Sequence, residues 1–163
     1  MDAIITTATV LAMYFNAATS NRGSYCYNAD IENNAVKNIE VFSCNGKSLS
    51  QKLQYRFTYD DRNRLASREA LKWSAKRQRW ENYYTLDYTY KADGYVLERR
   101  DWNARGNAYG VATARMEYQM ISGDVMAVNY YKMSKASREM ELTGNVLVMN
   151  PQSDILAMAE GMK

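Results

Sequence analysis

This 163-residue chain contains no histidine, so acid–base chemistry near neutral pH would have to use carboxylates, and four aspartates are the candidates. The lack of His removes the usual general base at neutral pH, the commonest metal ligand and any Ser–His or Cys–His nucleophile pair. A glycosidase needs only two carboxylates on either side of one bond, and the candidates for such a pair are Asp60, Asp61, Asp93 and Asp101.

Aspartate at turn positions is better explained by hydrogen bonds from the side chain to the backbone. The same residues also lack the Asp/Asn/Gly spacing of a known calcium-binding loop. The sequence therefore predicts no catalytic residue, no metal site and no cofactor. A carboxylate glycosidase stays as the alternative from another functional class.

Aromatic and basic side chains offer a second kind of chemistry, the binding of a ligand. Two loops, 73–80 and 102–109, each begin and end with an aromatic residue, and these residues are Trp73, Trp80, Trp102 and Tyr109. Flat rings stack on sugars or bases, and Arg77, Arg79 and Arg105 in the same loops favour an anionic partner. The alternative interpretation is that the rings cap the edge of a sheet as part of its core.

Cys26 and Cys44 are the two cysteines of the chain. An even number of cysteines in an oxidising compartment usually pairs, and their midpoint falls at Ala35, within the turn-prone run 32–35. Two strands that fold back there would bring the sulfurs across from each other. We therefore predict a Cys26–Cys44 disulfide, with two buried thiols in a cytoplasmic protein as the alternative.

The N-terminus supports the exported interpretation. Residues 3–15 form an apolar run that is followed by small and polar residues, as in a signal peptide, and the run is too short to span a membrane. An acid, Asp2, stands where a basic residue is expected. We predict a signal peptide over residues 1–20 and a periplasmic or extracellular mature chain without a transmembrane segment; a retained helix or strand packed on the sheet is the alternative.

Charge is unevenly distributed along the chain. Residues 52–105 hold 13 Lys and Arg against 8 Asp and Glu, although the net charge of the whole chain is only +3. A basic region can meet nucleic acid or anionic glycan, but basic residues also solvate the outer face of a sheet and protect its edge strands. We favour the second explanation and do not expect nucleic acid as a partner.

A repeat with a period of about thirty residues predicts the fold. Large apolar residues alternate with polar ones in three segments, Tyr55–Tyr59, Leu86–Tyr90 and Met116–Met120. Such alternation is typical of half-buried strands, and we expect residues 55, 57, 59, 86, 88 and 90 to share one buried face. Each segment leads through a tight turn into a second β-prone stretch: 65–73, 95–102 and 125–132.

Further elements are predicted on both sides of the repeat. Asn45-Gly46 indicates an upstream hairpin, Val146–Met149 indicates a last strand, and residues 153–158 suggest a short C-terminal helix. Successive hairpins at short spacing favour an antiparallel meander, which should curl into a half-barrel or barrel or be covered by the C-terminal segment. We expect an all-β fold in a single domain over residues 21–163.

The segment Tyr55–Glu69, YRFTYDDRNRLASRE, resembles the tyrosine–aspartate repeats of rearrangement-hotspot shell proteins. The first copy has Tyr59, Asp60 and Leu65 in the repeat order, with Asn63 in place of glycine. The second copy keeps the repeat glycine at Gly94. The resemblance implies structural strands, but three degenerate copies cannot build the enclosure that those repeats form.

Over most of its length the chain resembles the small exported proteins of unknown function from Bacteroides-type gut bacteria. These proteins share a signal sequence, Tyr-rich hairpins and no catalytic signature. The resemblance implies a compartment and a fold but supplies no activity. We therefore expect a non-catalytic exported binding or structural module, whose partner is a glycan or another cell-surface protein.

Overall fold

The structure, a computed structural model, describes residues 4–20, 24–44, 46 and 48–149. These residues form one helix, α1 (Thr7–Thr19), and nine strands. The strands are β1 (Tyr25–Glu32), β2 (Ala35–Cys44), β3 (Leu49–Tyr59), β4 (Leu65–Ser74), β5 (Arg79–Lys91), β6 (Gly94–Asn103), β7 (Ala108–Ser122), β8 (Val125–Met133) and β9 (Met140–Met149).

The strands pair in chain order, from β1 to β9. The β1–β2, β2–β3, β3–β4, β7–β8 and β8–β9 pairs are antiparallel. The prediction of an all-β antiparallel meander of hairpins is confirmed, and its strand order is linear rather than closed. All of residues 48–149 are described, and no helix interrupts the strands among them.

Turn residues explain where the hairpins fold back. Asn33 and Asn34 join β1 to β2 with φ values of 51° and 61°, the left-handed backbone that a type I′ turn requires at both central positions. In the β3–β4 turn, Asn63 has a φ of 57° where the resembled repeat has glycine. Asparagine tolerates this conformation better than most residues, so the β3–β4 hairpin turns tightly without a glycine.

The large apolar residues of the first repeat are less deeply buried than those of the second. In the second repeat Leu86 and Tyr88 are buried, but Tyr90, predicted on the same buried face, is only half-buried. In the first, Tyr55, Phe57 and Tyr59 are only half-buried. The predicted alternation is present in both, because the intervening Arg56, Thr58 and Thr89 are exposed.

The contacts of the chain group into two compact units. The N-terminal unit is built from Ile5–Leu86 with Trp102–Tyr109, and the C-terminal unit mainly from Asp87–Asp101 and the described residues from Gly110 onward. Strands β5, β6 and β7 contribute residues to both units, so no linker divides the sequence.

Helix α1 belongs to the N-terminal unit, where it contacts β1 and β2. Before the helix begins, the amide N–H of Leu65 donates to the carbonyl oxygen of Ile5 at 2.7 Å. A capping box then starts the helix: the Thr9 amide donates to Thr6 Oγ1, and the Thr6 amide donates to Thr9 Oγ1. The apolar side chains Ile5 and Val10 are almost fully buried, at 3% and 1% exposure.

The apolar N-terminal run forms a helix that contacts β1 and β2. Both its removal as a signal peptide and its retention in the mature chain stay predictions. Within the described residues, no helix is long and apolar enough to cross a membrane. The predicted C-terminal helix over 153–158 lies outside the described residues.

The core of the C-terminal unit is built around stacked phenols. The rings of Tyr95 and Tyr118 lie 4.3 Å apart between centroids and within 16° of parallel. Leu97, Met126 and Val128 are also almost fully buried in this unit. Burial, followed by the neighbouring phenol of Tyr118, raises the pKa of Tyr95 far above its usual range, so this ring stays neutral in the folded chain.

Tyr55 and Tyr59 in the N-terminal unit are held as neutral phenols. Burial and the neighbouring Tyr84 raise the pKa of Tyr55 to about 12, although the guanidinium of Arg68, 4.9 Å from its ring centroid, acts in the opposite direction. Burial raises the pKa of Tyr59 to about 12, and its hydroxyl donates to the Val36 carbonyl oxygen at 2.8 Å.

Because these phenols are held neutral, we predict that the folded protein loses stability at alkaline pH. Because the folded pKa of Tyr55 is raised from 10.0 to about 12, its stabilising contribution is complete below pH 10 and is lost as the pH rises toward 12. The loss should be on the order of 2 kcal/mol, measured by urea unfolding between pH 9 and 12. Tyr55→Phe should flatten this dependence, whereas Tyr25→Phe, at an exposed site, should not. Equal pH dependence in both variants would contradict the assignment.

Candidate functional site

The cysteines of β1 and β2 form the Cys26–Cys44 disulfide, with their Cα atoms 6.1 Å apart. The predicted bridge is therefore present, but the two residues are not directly opposite each other. Cys26 pairs with Phe42, because the chain turns at Asn33-Asn34 and the register shifts by one residue just before this turn, between Asp30 and Ile31. Cys44 lies two positions beyond Phe42 and so shares its face of the strand, which lets the sulfurs meet diagonally.

Each aromatic loop is closed by its own pair of rings. Trp73 and Trp80 lie 5.2 Å apart between centroids, at an interplanar angle of 71°. Trp102 and Tyr109 repeat this arrangement at 5.0 Å and 74°. Both are edge-to-face geometries, which the charge distribution of aromatic rings favours. All four residues are half-buried, so each pair stabilises its loop and still presents ring surface to solvent.

The two loops belong to the same N-terminal unit. The hydroxyl of Tyr109 donates to Glu69 Oε1 on β4 at 2.6 Å, across forty residues of sequence. The other carboxylate oxygen of Glu69 lies 3.7 Å from the Arg56 guanidinium on β3. A hydrogen bond to a charged carboxylate is stronger than one between neutral groups, so this contact fixes the second loop on the strand that leads into the first.

The arginines of the loops lie in solvent, but two of them share a partner. Arg77 donates to Glu81 Oε1 at 2.8 Å, and Arg79 lies 3.8 Å from the same oxygen. Exposed ion pairs of this kind contribute little to stability. Since one carboxylate faces two guanidiniums, and Lys76 and Arg105 are also exposed, the loops keep an excess of positive charge.

Glu69 and Glu81 are the residues of this region that the sequence interpretation missed. Glu69 lies within the predicted strand 65–73, and Glu81 lies beside the predicted loop 73–80. Neither residue stands out by its type or its spacing. Glu81 follows Trp80 directly and could have been paired with Arg77, four residues earlier. No local signal connects Glu69 with Tyr109, because that contact depends on how β4 and β7 meet in the fold.

Three of the four aspartates considered for catalysis accept hydrogen bonds, whereas Asp61 is exposed in the β3–β4 turn. Asp60 accepts from the amides of Arg62 and Arg64 and from the Arg64 guanidinium. Desolvation acts to raise the pKa of Asp60, but these donors outweigh it and hold that pKa below its ordinary value. Asp93 accepts from Gln119 at 2.8 Å.

Asp101 is held in the C-terminal unit by Arg99, at 2.9 Å, and by the Thr113 hydroxyl, at 3.0 Å. Arg100 and Arg115, in the same unit, pair with a different carboxylate, Glu98, at 3.5 and 2.6 Å. Among the residues that the structure describes, no three His, Cys, Asp or Glu side chains form a group that could hold a metal ion.

A family comparison assigns the chain. The family DUF3836, described as a family of unknown function, matches residues 1–121, about three quarters of the sequence. The chain belongs to DUF3836. The resemblance to a Bacteroides-type family of unknown function is thereby confirmed, and crystal structures from this bacterial group also match. The likeness to tyrosine–aspartate repeats stays a prediction.

A protein of unknown function from Bacteroides fragilis has a similar structure, with a TM-score of 0.68 and 17% identity over 80% of this chain and 96% of that one. A DUF3836 protein from Parabacteroides distasonis matches with a TM-score of 0.44 and 18% identity over 82% and 98% of the two chains. At this identity the Bacteroides fragilis likeness supports the fold alone. No curated protein matches the chain.

Proposed function

We propose that this DUF3836 chain is a non-catalytic, exported binding module whose ligand is an anionic glycan. The observation that carries the proposal is the placement of both aromatic loops in one unit, joined by the Tyr109–Glu69 hydrogen bond. The half-exposed rings offer stacking surface, and the exposed arginines offer positive charge beside it. Sugar rings with carboxylate or sulfate groups match both features.

We propose a non-catalytic role because three of the four carboxylates considered for glycoside hydrolysis are already engaged, and the fourth, Asp61, is exposed at a turn. Asp60, Asp93 and Asp101 each accept hydrogen bonds from neighbouring side chains. A glycosidase pair instead needs one carboxyl free to donate a proton and a second carboxylate across the scissile bond. Export is supported by the Cys26–Cys44 disulfide, since such bonds persist in oxidising compartments.

Arg105→Ala should weaken binding to anionic polysaccharide, with heparin and polygalacturonate as probes and neutral dextran as the reference. Arg105 is exposed at the tip of the second loop. Arg62→Ala is the matched control, because it removes another exposed arginine, from the β3–β4 turn of the same unit. The loss of affinity should be selective for Arg105→Ala. It should become smaller as the salt concentration rises, because salt screens exposed charges. Equal effects of the two substitutions would indicate non-specific attraction.

Trp80→Ala tests the stacking surface. We expect about a tenfold loss of affinity, which corresponds to about 1.4 kcal/mol of lost ring contact. Tyr83→Ala is the control, because it removes an exposed aromatic side chain from the same strand. Near-ultraviolet circular dichroism checks that each variant is folded. If Trp80→Ala binds like the wild type, or if the wild type binds none of the probes, the rings serve only as the end cap of the sheet.

A further inference from the structure

Glu69 contacts two side chains of the aromatic region at the same time. Its Oε1 accepts from the Tyr109 hydroxyl at 2.6 Å, and its Oε2 lies 3.7 Å from Arg56 Nη1. Arg56 and Glu69 stand directly opposite each other on β3 and β4, so their side chains share one face of the sheet. The Tyr109 hydroxyl and the Arg56 guanidinium are therefore held beside one carboxylate on that face.

Arg56 is placed to contact a ligand beside Tyr109. Its side chain is 52% exposed. The distance of 3.7 Å to Glu69 is longer than that of an N–H···O hydrogen bond, so Glu69 orients the guanidinium without holding it by a hydrogen bond. A guanidinium carries several N–H donors in a planar fork, which fits a carboxylate in a bidentate pair. Arg56 can therefore bind a carboxylate of the ligand.

The two aromatic pairs are attached at different positions along β4. Trp73 belongs to the first pair, and Glu69 holds the second pair through Tyr109. Trp73 and Glu69 are four positions apart in β4, so they lie on the same face of the strand. At a rise of about 3.3 Å per residue, their Cα atoms are about 13 Å apart. A single sugar ring is smaller than this separation, so the two places are suited to different sugars of one chain.

Positive charge accompanies the rings at both places. The exposed Arg79 directly precedes Trp80, and Arg56 lies beside Tyr109 through their shared contact with Glu69. A chain of acidic sugars carries a carboxylate on each unit, so it can match a ring and a charge at both places. Because the second contact of a ligand that is already bound is intramolecular, two weak contacts on one chain give a much higher affinity than either alone.

We propose that the site takes a chain of several acidic sugars rather than a monosaccharide or disaccharide. The Trp73–Trp80 pair contacts one unit of that chain, and the Tyr109 ring with Arg56 contacts another. The inference rests on the anionic-glycan binding proposed above, and it adds the size of the ligand and a further binding residue, Arg56. A disaccharide reaches only one of the two places, whereas a longer chain reaches both.

Isothermal titration calorimetry with the dimer and the hexamer of galacturonate tests the proposal. The wild type should bind the hexamer on the order of 100-fold more tightly than the dimer, because only the hexamer contacts both places. Arg56→Gln should weaken hexamer binding about tenfold and change dimer binding less, because it removes one charge-assisted contact. Arg56→Lys keeps the charge but not the planar fork, so it should lose only part of that affinity. Arg62→Gln is the matched control, at an exposed arginine of the β3–β4 turn, and should bind both ligands like the wild type.

The outcomes of this titration separate the ligand's size from the proposed function. If the hexamer gains no more affinity than its larger number of equivalent dimer positions provides, the chain-length inference is overturned and the anionic-glycan function stands. If Arg56→Gln is folded by circular dichroism and loses no more affinity than Arg62→Gln, the role of Arg56 is overturned. A wild type that binds neither the galacturonate chains nor heparin would overturn the proposed function and this inference with it.

Discussion

Replacement of Gly94 by alanine is expected to lower the free energy of unfolding by about 3 kcal/mol or more. Gly94 begins β6, and a Cβ atom at this position would press on the carbonyl oxygen of Tyr118. It would also lie 2.8 Å from the carbonyl carbon of Tyr118 and 3.2 Å from the Cα of Gln119. These are backbone atoms of β7, so no change of rotamer can relieve the contact. The glycine is required for close approach of two strands rather than for an unusual backbone angle.

Two other glycines provide matched controls. An added Cβ at Gly123 or at Gly144 would meet no atom of the described residues within 4 Å. Alanine at these positions should change the free energy of unfolding by no more than about 1 kcal/mol, because only the backbone entropy of the unfolded chain changes. Urea unfolding followed by tryptophan fluorescence gives the three values. A Gly94→Ala variant as stable as Gly123→Ala would show that β6 and β7 are not packed so closely at this point.

The hairpins could be predicted from sequence because each depends on neighbouring residues. Alternation of apolar and polar residues is a property of one strand, and the turn at Asn33-Asn34 depends on the tolerance of asparagine for positive φ. The same local chemistry explains why Asn63 can occupy the β3–β4 turn with a positive φ. Predictions of this kind need no knowledge of how distant elements meet.

The environment of the aromatic loops could be predicted only in part. The equivalent spacing of Trp73–Trp80 and Trp102–Tyr109 indicated two similar loops at one edge, and both belong to the N-terminal unit. The contact of Tyr109 with Glu69 joins residues forty positions apart and follows from the path of β7. Alternation within a strand does not encode such a contact, so no pattern in the sequence points to Glu69.

Burial was predicted less well than strand position. Gln54 lies next to the predicted strand Tyr55–Tyr59 but is only 7% exposed, whereas Tyr55 beside it is half-buried. Its side-chain amide donates to Glu40 Oε1 on β2 at 3.3 Å. A strand with both faces partly covered does not follow a simple inside–outside alternation. The sequence pattern therefore located the strand but assigned too much burial to one of its faces.

Loss of the Cys26–Cys44 disulfide has the second large expected effect. The bond joins residues eighteen positions apart. A cross-link that closes a loop of this size stabilises a fold by about 3 kcal/mol, by limiting the conformations of the unfolded chain. The double variant Cys26→Ser with Cys44→Ser should therefore unfold at a lower urea concentration than the wild type.

Reductant is the control for the serine side chains. Wild-type protein in reductant should fall to the stability of the double variant, and the double variant itself should not respond to reductant. Mass spectrometry of the unreduced wild type, purified from the periplasm, should give a mass about 2 Da below that of the reduced chain, since the bond forms with the loss of two hydrogens. Two free thiols in that material would show that the bridge does not form there, and would also remove the disulfide as support for export. If the bridge forms but does not change the free energy of unfolding, the β1–β2 hairpin is already closed in the unfolded chain before the bond is made. The Asn33-Asn34 turn would then restrict the unfolded chain without the disulfide.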